Sequence, residues 1–192
     1  MARITIAKLK PASPRLNGAV TGEAHAQQVR KIVSEAPPAE ADIVVLDYRG
    51  IEGASASYLK RLLNPFYGSS DDPGAFTREV SPVAINVDSD DLKEDLGDYL
   101  LAKGRVLVVA RMKAGRPTFS SLLGRLDGAA AETFKELREL KRTTALQLFE
   151  KHAKLTTNQT AWNNRLAQLV EMRLARRGRE GRFWIYEPTV TS

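Results

Sequence analysis

Over residues 1–113, apolar runs rich in β-branched residues alternate with stretches of helical periodicity. ITIAKL (4–9) predicts a strand. TGEAHAQQVRKIVSE (21–35) predicts a helix, because Ala26, Val29 and Ile32/Val33 recur at helical spacing. After the breaker APPAEA, DIVVLDY (42–48) is a near-continuous apolar run, the pattern of a central strand covered on both faces. ASYLKRLLNPF (56–66) predicts a helix with Leu59, Leu62 and Leu63 on one side, and GSSDDPG a loop. PVAINVD (82–88) predicts a strand. SDDLKEDLGDYLLAKG predicts a helix capped by Ser89 and stopped at Gly104. RVLVVARM (105–112) predicts the strand that closes the sheet. Such alternation implies an α/β fold with a mainly parallel or mixed sheet and right-handed crossovers.

The pattern changes after MKAGRPTFSSLLGRLDG (112–128), where Gly and Pro punctuate a short apolar run, FSSLL. Residues 114–128 therefore read as a linker with room for an edge strand. From Ala129 the periodicity is helical for about 45 residues. AAAETFKELRELKR carries Phe134 and Leu137 on one face, with Leu140 as a further candidate. TTALQLFEKHA follows a cap at Thr143 or Thr144 and buries Ala145, Leu148 and Phe149. KLTTN is a turn, QTAWNNRLAQLVEM a third helix, and RLARRGREGRFWIYEP a β-hairpin with Gly178 and Gly181 at a tight tip. Three helices and a hairpin within residues 129–192 are the parts of an α+β winged helix-turn-helix.

Charge sharpens this division. The net charge is +6; residues 128–192 hold 12 Lys and Arg against 7 Asp and Glu, so nearly all the excess lies there. The absence of cysteine excludes disulfides, thiolate metal sites and thiol nucleophiles, and two histidines, His25 and His152, leave little for a metal cluster or a Ser-His-Asp triad. No GxxxxGK[ST] or GxGxxG occurs, and GREG and GRLDG lack the spacing of a phosphate loop. We therefore expect no enzyme activity, no cofactor and no metal. Asp88, Asp90 and Asp91 could offer oxygen ligands to Mg²⁺, but a solvated helix start favoured by the macrodipole accounts for them. The start MARITIAKLK is too polar for a signal peptide, and no apolar run approaches the ~20 residues that span a bilayer, so a soluble cytoplasmic protein without a membrane partner is expected.

The third C-terminal helix carries the strongest local signal. Trp162, Leu166, Leu169 and Val170 form one apolar stripe, which makes Trp162 a core residue. The opposite face holds Thr160, Ala161, Asn164 and Gln168, with Asn163 and Arg165 on the flanks and Gln159 at the start. No acidic residue lies between Leu155 and Val170. Asn, Gln, Thr and Arg read base edges, and a carboxylate there would repel phosphates. Gln159, Thr160, Asn164, Arg165 and Gln168 are accordingly the base-side candidates. Arg176, Arg177, Arg179 and Arg182 on the hairpin, opposed in that stretch only by Glu180, are the phosphate-side candidates. A solvated basic hairpin, or one that docks against the acidic N-terminal loops, is the alternative.

Within the first domain, VVLDYRGIEGASASYLKRLL resembles the strand–loop–helix of STAS domains, the fold of bacterial anti-sigma-factor antagonists, and more closely the bacterial STAS-like domain of unknown function. Asp47 ending the strand, Gly50 three positions on, and Ser55-Ala56-Ser57 opening the helix carry the resemblance, which spans about residues 3–113. Ala56 replaces one of the usual hydroxyls, and Tyr58 stands where antagonists have glycine. The resemblance implies a phosphorylation or ligand loop at Asp47, Gly50, Ser55 and Ser57, with Ser57 at the position a partner kinase modifies. Simple N-capping by Ser55 or Ser57 and anion binding at the helix start are the other readings. NQTAWNNRLAQLVEMRLARR is similar to the recognition helix and first wing strand of bacterial winged helix-turn-helix regulators, on Asn158, Leu166, Leu169 and Leu174. Arg173 takes the place of that pattern's glycine, and the turn before the helix is a few residues longer.

Together these readings predict a bacterial DNA-binding transcription regulator with a STAS-like domain (1–113) and a winged helix-turn-helix domain (129–192). Its partners would be double-stranded DNA, a second copy in a homodimer, and a protein docking on the STAS-like domain. The alternatives are a non-enzymatic adaptor in a signalling or defence complex, or an antagonist switched by phosphorylation of Ser57.

Overall fold

Parallel pairing of four β-branched runs builds the sheet of the N-terminal unit, Met1–Arg125. The computed structural model describes residues 2–10, 13–36, 42–68, 75–76, 79–152 and 158–191. In chain order the elements are β1 (Arg3–Lys8), β2 (Arg15–Leu16), α1 (Ala19–Glu35), β3 (Asp42–Asp47), β4 (Gly53–Ala54), α2 (Ala56–Tyr67), β5 (Val80–Ile85), α3 (Asp90–Ala102), β6 (Val106–Lys113) and β7 (Arg116–Gly124). The sheet runs β1-β3-β5-β6-β7, with β7 antiparallel and the others parallel. A two-residue turn, Ala114 and Gly115 at φ 48° and 76°, joins β6 to β7. Positive φ at both central positions belongs to a type I′ hairpin turn, whose twist matches that of the strands.

Each crossover steps in the same direction, so right-handed connections place α1, α2 and α3 on one face. α1 packs on α2 and α2 on α3. Their apolar stripes close over Val44, Leu46, Ala84 and Leu107 in one core that includes Leu59, Leu62 and Leu63. β3 and β5 are buried at every residue, as a near-continuous apolar run requires. Pro82 fits in β5 because the ladder to β6 contains only Val83 and Ala84, so no bond is lost to its missing N–H.

β5 begins two residues earlier than its apolar pattern suggests and ends at Ile85. Asn86 ends it by turning to φ 56°, its amide donating to Asp47 at 2.6 Å. Nor does β6 close the sheet, because the nine-residue β7 pairs outside it. Residues 114–128, expected as a linker with room for an edge strand, thus contain a full strand of the sheet. The two units divide at Arg125 and Leu126.

One close approach fixes α1 on α2. A Cβ on Gly22 would lie 2.5 Å from the Tyr58 carbonyl oxygen, which is backbone and cannot swing aside. Gly22→Ala should therefore destabilise the unit by about 1–3 kcal/mol, despite the better helix propensity of alanine. A denaturant midpoint at or above that of the parent protein would contradict this packing.

The C-terminal unit, Leu126–Ser192, contains α4 (Gly128–Leu140), α5 (Ala145–Lys151), α6 (Gln159–Glu171), β8 (Ala175–Glu180) and β9 (Phe183–Pro188). Thr144 caps α5 in a reciprocal box with Gln147. Thr143, just before that cap, exchanges both backbone hydrogen bonds with Tyr186 of β9, at 3.0 and 2.8 Å. Leu137, Leu148, Trp162, Leu166, Leu169 and Tyr186 are buried within this unit, whereas Phe149, expected in its core, is only half-buried. The KLTTN turn lies largely outside the described residues. Among the described residues no helix is long and apolar enough to cross a membrane.

Candidate nucleic-acid interface

The side chains α6 leaves in solvent follow from its apolar stripe. Asn158 caps the helix, accepting from the Ala161 amide at 2.8 Å. Trp162, Leu166, Leu169 and Val170 are buried, so Gln159, Thr160, Asn163 and Asn164 face outward over the first turn and a half. Two expected base-side residues are more constrained. Arg165 is half-buried, its guanidinium 5.2 Å from the centre of the Trp162 ring. Gln168 donates to the Asp127 carboxylate at 3.4 Å, and Asp127 also caps α4. Asn163, read as a flank, is as exposed as Asn164. Glu171 is exposed at the far end of the helix.

The joint between α6 and β8 sets the hairpin's direction. Arg173 adopts a left-handed φ of 63°, as its place in the glycine position of the pattern anticipates. The Arg173 amide donates to Val170 O and the Leu174 amide to Leu169 O, both at 2.9 Å. Leu174 and Leu169 are both buried, completing a Schellman ending. A side chain in this conformation costs about 1–2 kcal/mol, which glycine does not. Arg173→Gly should therefore raise the melting temperature of the C-terminal unit by about 4–8 °C for each kcal/mol relieved. An unchanged or lower transition in calorimetry would argue against strain at this joint.

Cross-strand pairing sorts the hairpin arginines. Gly181 (φ 59°) and Arg182 form its two-residue turn, whereas Gly178 lies within β8, opposite Ile185. Arg177 pairs with Tyr186 and Arg179 with Trp184, so these four share one face. Both guanidinium groups lie against the Trp184 ring, 4.7 and 4.6 Å from its centre, and Arg182 lies 5.1 Å from that of Phe183. On the other face Arg176 is bonded to Glu187 at 2.7 Å, so it is an internal partner rather than a free cation. Arg142, from the segment between α4 and α5, holds Glu180 at 2.8 Å and approaches Glu187 at 3.9 Å. Both hairpin carboxylates are thus neutralised within the unit. Arg177, Arg179 and Arg182 have no carboxylate partner among the described residues. Burial pushes the Tyr186 hydroxyl above its ordinary pKa, and the charge of Arg177 opposes that rise.

No family model, curated protein or solved structure matches this chain.

Trp184 joins the candidate residues only in the structure. In sequence the alternation of Phe183 and Ile185 with Trp184 and Tyr186 predicts only a strand with one face on the core, whereas the register pairs Trp184 with Arg179 and brings Arg177 to the same ring. An Arg-X-Arg run across a tight turn from an aromatic was the available signal. The polar side chains exposed on α6 and the unpaired arginines on the hairpin together offer hydrogen bonds to bases and cations to phosphates.

The 47–57 turn of the N-terminal unit is organised by its own hydrogen bonds. Asp47 accepts from the Arg49 amide at 3.1 Å and from Asn86. Gly50 takes φ 75°, which suits glycine. Ser55 caps α2, its hydroxyl accepting from the amides of Tyr58 at 3.4 Å and Gly18 at 3.2 Å. Ser57 is exposed, with its hydroxyl 3.1 Å from that of Ser55. β2 pairs with β4 and fixes the turn's outer side. Asp90 is paired with Lys93 at 2.7 Å and Asp91 with Arg15 at 3.2 Å. Among the described residues no group of three or more His, Cys, Asp or Glu is arranged for a metal ion.

Proposed function

We propose that this protein is a DNA-binding regulator whose C-terminal unit is a winged helix-turn-helix. The observation that carries this reading is the hairpin's charge. Glu180 and Glu187 are bound by Arg142 and Arg176, while Arg177 and Arg179 are held on Trp184 with no carboxylate partner among the described residues. The element order supports it: helix, a strand-like bridge at Thr143, two helices, then a hairpin. In this reading α6 presents Gln159, Thr160, Asn163 and Asn164 to base edges, with Arg165 and Gln168 at the margin. Arg177, Arg179 and Arg182 contact the phosphates or a narrow minor groove. The N-terminal unit then acts as a STAS-like regulatory or dimerisation domain. A single winged helix covers little DNA, so a symmetric dimer is the fitting assembly.

Sequencing the DNA that co-purifies with the protein tests this directly. Enrichment of a short duplex motif is expected; fragments no different from input DNA would contradict it. Trp184→Ala should weaken duplex binding about three- to tenfold, because the arginines keep their charge but lose the ring that orders them. Unchanged affinity would remove Trp184 from the interface.

The second reading, a protein-interaction adaptor, is favoured by one observation. Phe183 and Trp184 are the exposed large apolar side chains of the hairpin, and aromatic–arginine surfaces are common in protein interfaces. Retention on heparin without any shift of random duplex would favour this reading.

A further inference from the structure

We infer that the N-terminal unit binds a small phosphate ester in a cleft at the carboxyl edge of its sheet. This does not depend on the nucleic-acid reading of the hairpin. The cleft has a volume of about 560 Å³, within the range of small-molecule sites. It lies beyond the end of β5 and along residues 109–112 of β6 and 120–123 of β7, towards the carboxyl ends of the parallel strands, where ligands bind in such sheets.

Charge supplies the first argument. Arg49, Lys93 and Arg111 line the cleft, against the single carboxylate of Asp88. Lys93 is partly neutralised by Asp90, but Arg49 and Arg111 are exposed with no ion pair among the described residues. A pair of guanidinium groups matches a phosphate oxygen set in a way that isolated ammonium groups do not.

Backbone geometry supplies the second. The β6–β7 ladder slips between Val109 and Ala110, where Val109 pairs with Ser121 and Ala110 with Phe119. Ser120 is thereby left without an opposite residue, and Ser120 and Ser121 both line the cleft. A bulge of this kind re-aims a side chain, and it occurs beside binding sites more often than elsewhere. Across the cleft, the positive φ of Asn86 turns the chain after Ile85 so that residues 85–88 form the opposite wall.

The third is the apolar share of the lining. Ile85, Val87, Val109 and Leu123 contribute it, and a bare ion does not need it but the carbon body of an ester does. Cations and hydroxyls beside such a surface suit one terminal phosphate on an organic group.

Adenosine monophosphate is a suitable probe, with adenosine as the uncharged control, titrated into the full-length protein and followed by backbone NMR. Saturable shifts of the Asn86, Ser120 and Ser121 amides are expected with the nucleotide at millimolar concentration and not with adenosine. The double substitution Arg49→Gln and Arg111→Gln should weaken these shifts at least tenfold while leaving the far-ultraviolet circular dichroism unchanged. Arg177→Ala with Arg179→Ala should leave them intact, so failure of the wing reading would not affect the result. Absence of saturable shifts at these amides, equal shifts with adenosine, or undiminished binding in the Arg49/Arg111 variant would each overturn the site.

Discussion

Replacing Arg177 and Arg179 together with alanine should lower affinity for duplex DNA at low salt by about ten- to a hundredfold, or about 1.4–2.8 kcal/mol. The expectation follows from the hairpin's pairing. Glu180 and Glu187 are already matched by Arg142 and Arg176, so Arg177 and Arg179 are surplus positive charge. Both are ordered on Trp184 in the free protein, which reduces the entropy lost when they contact phosphate. Each phosphate contact contributes about 0.9 to the slope of log affinity against log salt, so removing two should flatten that slope by about 1.8. The substitutions should leave the fold intact, because neither arginine supports an ion pair among the described residues. By contrast, Arg176→Ala should act mainly on stability, through the carboxylate of Glu187 that it leaves unpaired. A loss of less than twofold for the Arg177/Arg179 variant would remove the hairpin from the proposed interface.

Trp162→Ala should cost about 3–5 kcal/mol and unfold the C-terminal unit at ordinary temperature. The indole is 2% exposed, stacks on His152 at 5.2 Å and lies in the stripe that joins α6 to the other helices. A unit of this size has little stability in reserve, so a void as large as a tryptophan removes most of it. The measurement is a thermal or urea transition of the variant in the full chain, with the N-terminal unit's transition as an internal reference. Retention of a cooperative C-terminal transition near that of the parent would contradict the core role. So would a loss of DNA binding without any loss of stability, which would mark Trp162 as a stacking residue instead.

Much of the frame was legible because it rests on local rules. Periodicity places the strands and helices within a few residues; Ser89, Asn158 and Gly104 occupy the ends of helices they were expected to occupy. The left-handed turn at Arg173 is anticipated by the resemblance, which puts this residue where the pattern has glycine. What stayed hidden depends on register between distant segments. Nothing in the run FSSLL shows that eight residues pair outside β6, because their half-polar pattern fits a linker equally well. The parallel contact of β2 with β4 involves two residues each, too few for a periodic signal. Arg176 and Arg177 are neighbours of the same chemistry, and only cross-strand pairing sends one to Glu187 and the other to Trp184. Gln168 similarly looked like an outward-facing side chain until the start of α4 placed Asp127 beside it.

The salt dependence of duplex binding by the unmodified protein tests the central claim most directly. Arg177, Arg179 and Arg182 are the hairpin cations without carboxylate partners among the described residues, and three phosphate contacts give a slope of log affinity against log salt of about −2.7 per protomer. A slope at least that steep, together with sub-micromolar binding at low salt, is the result expected of a wing on DNA. A slope near zero, or no binding of duplex at any salt concentration, would contradict the account.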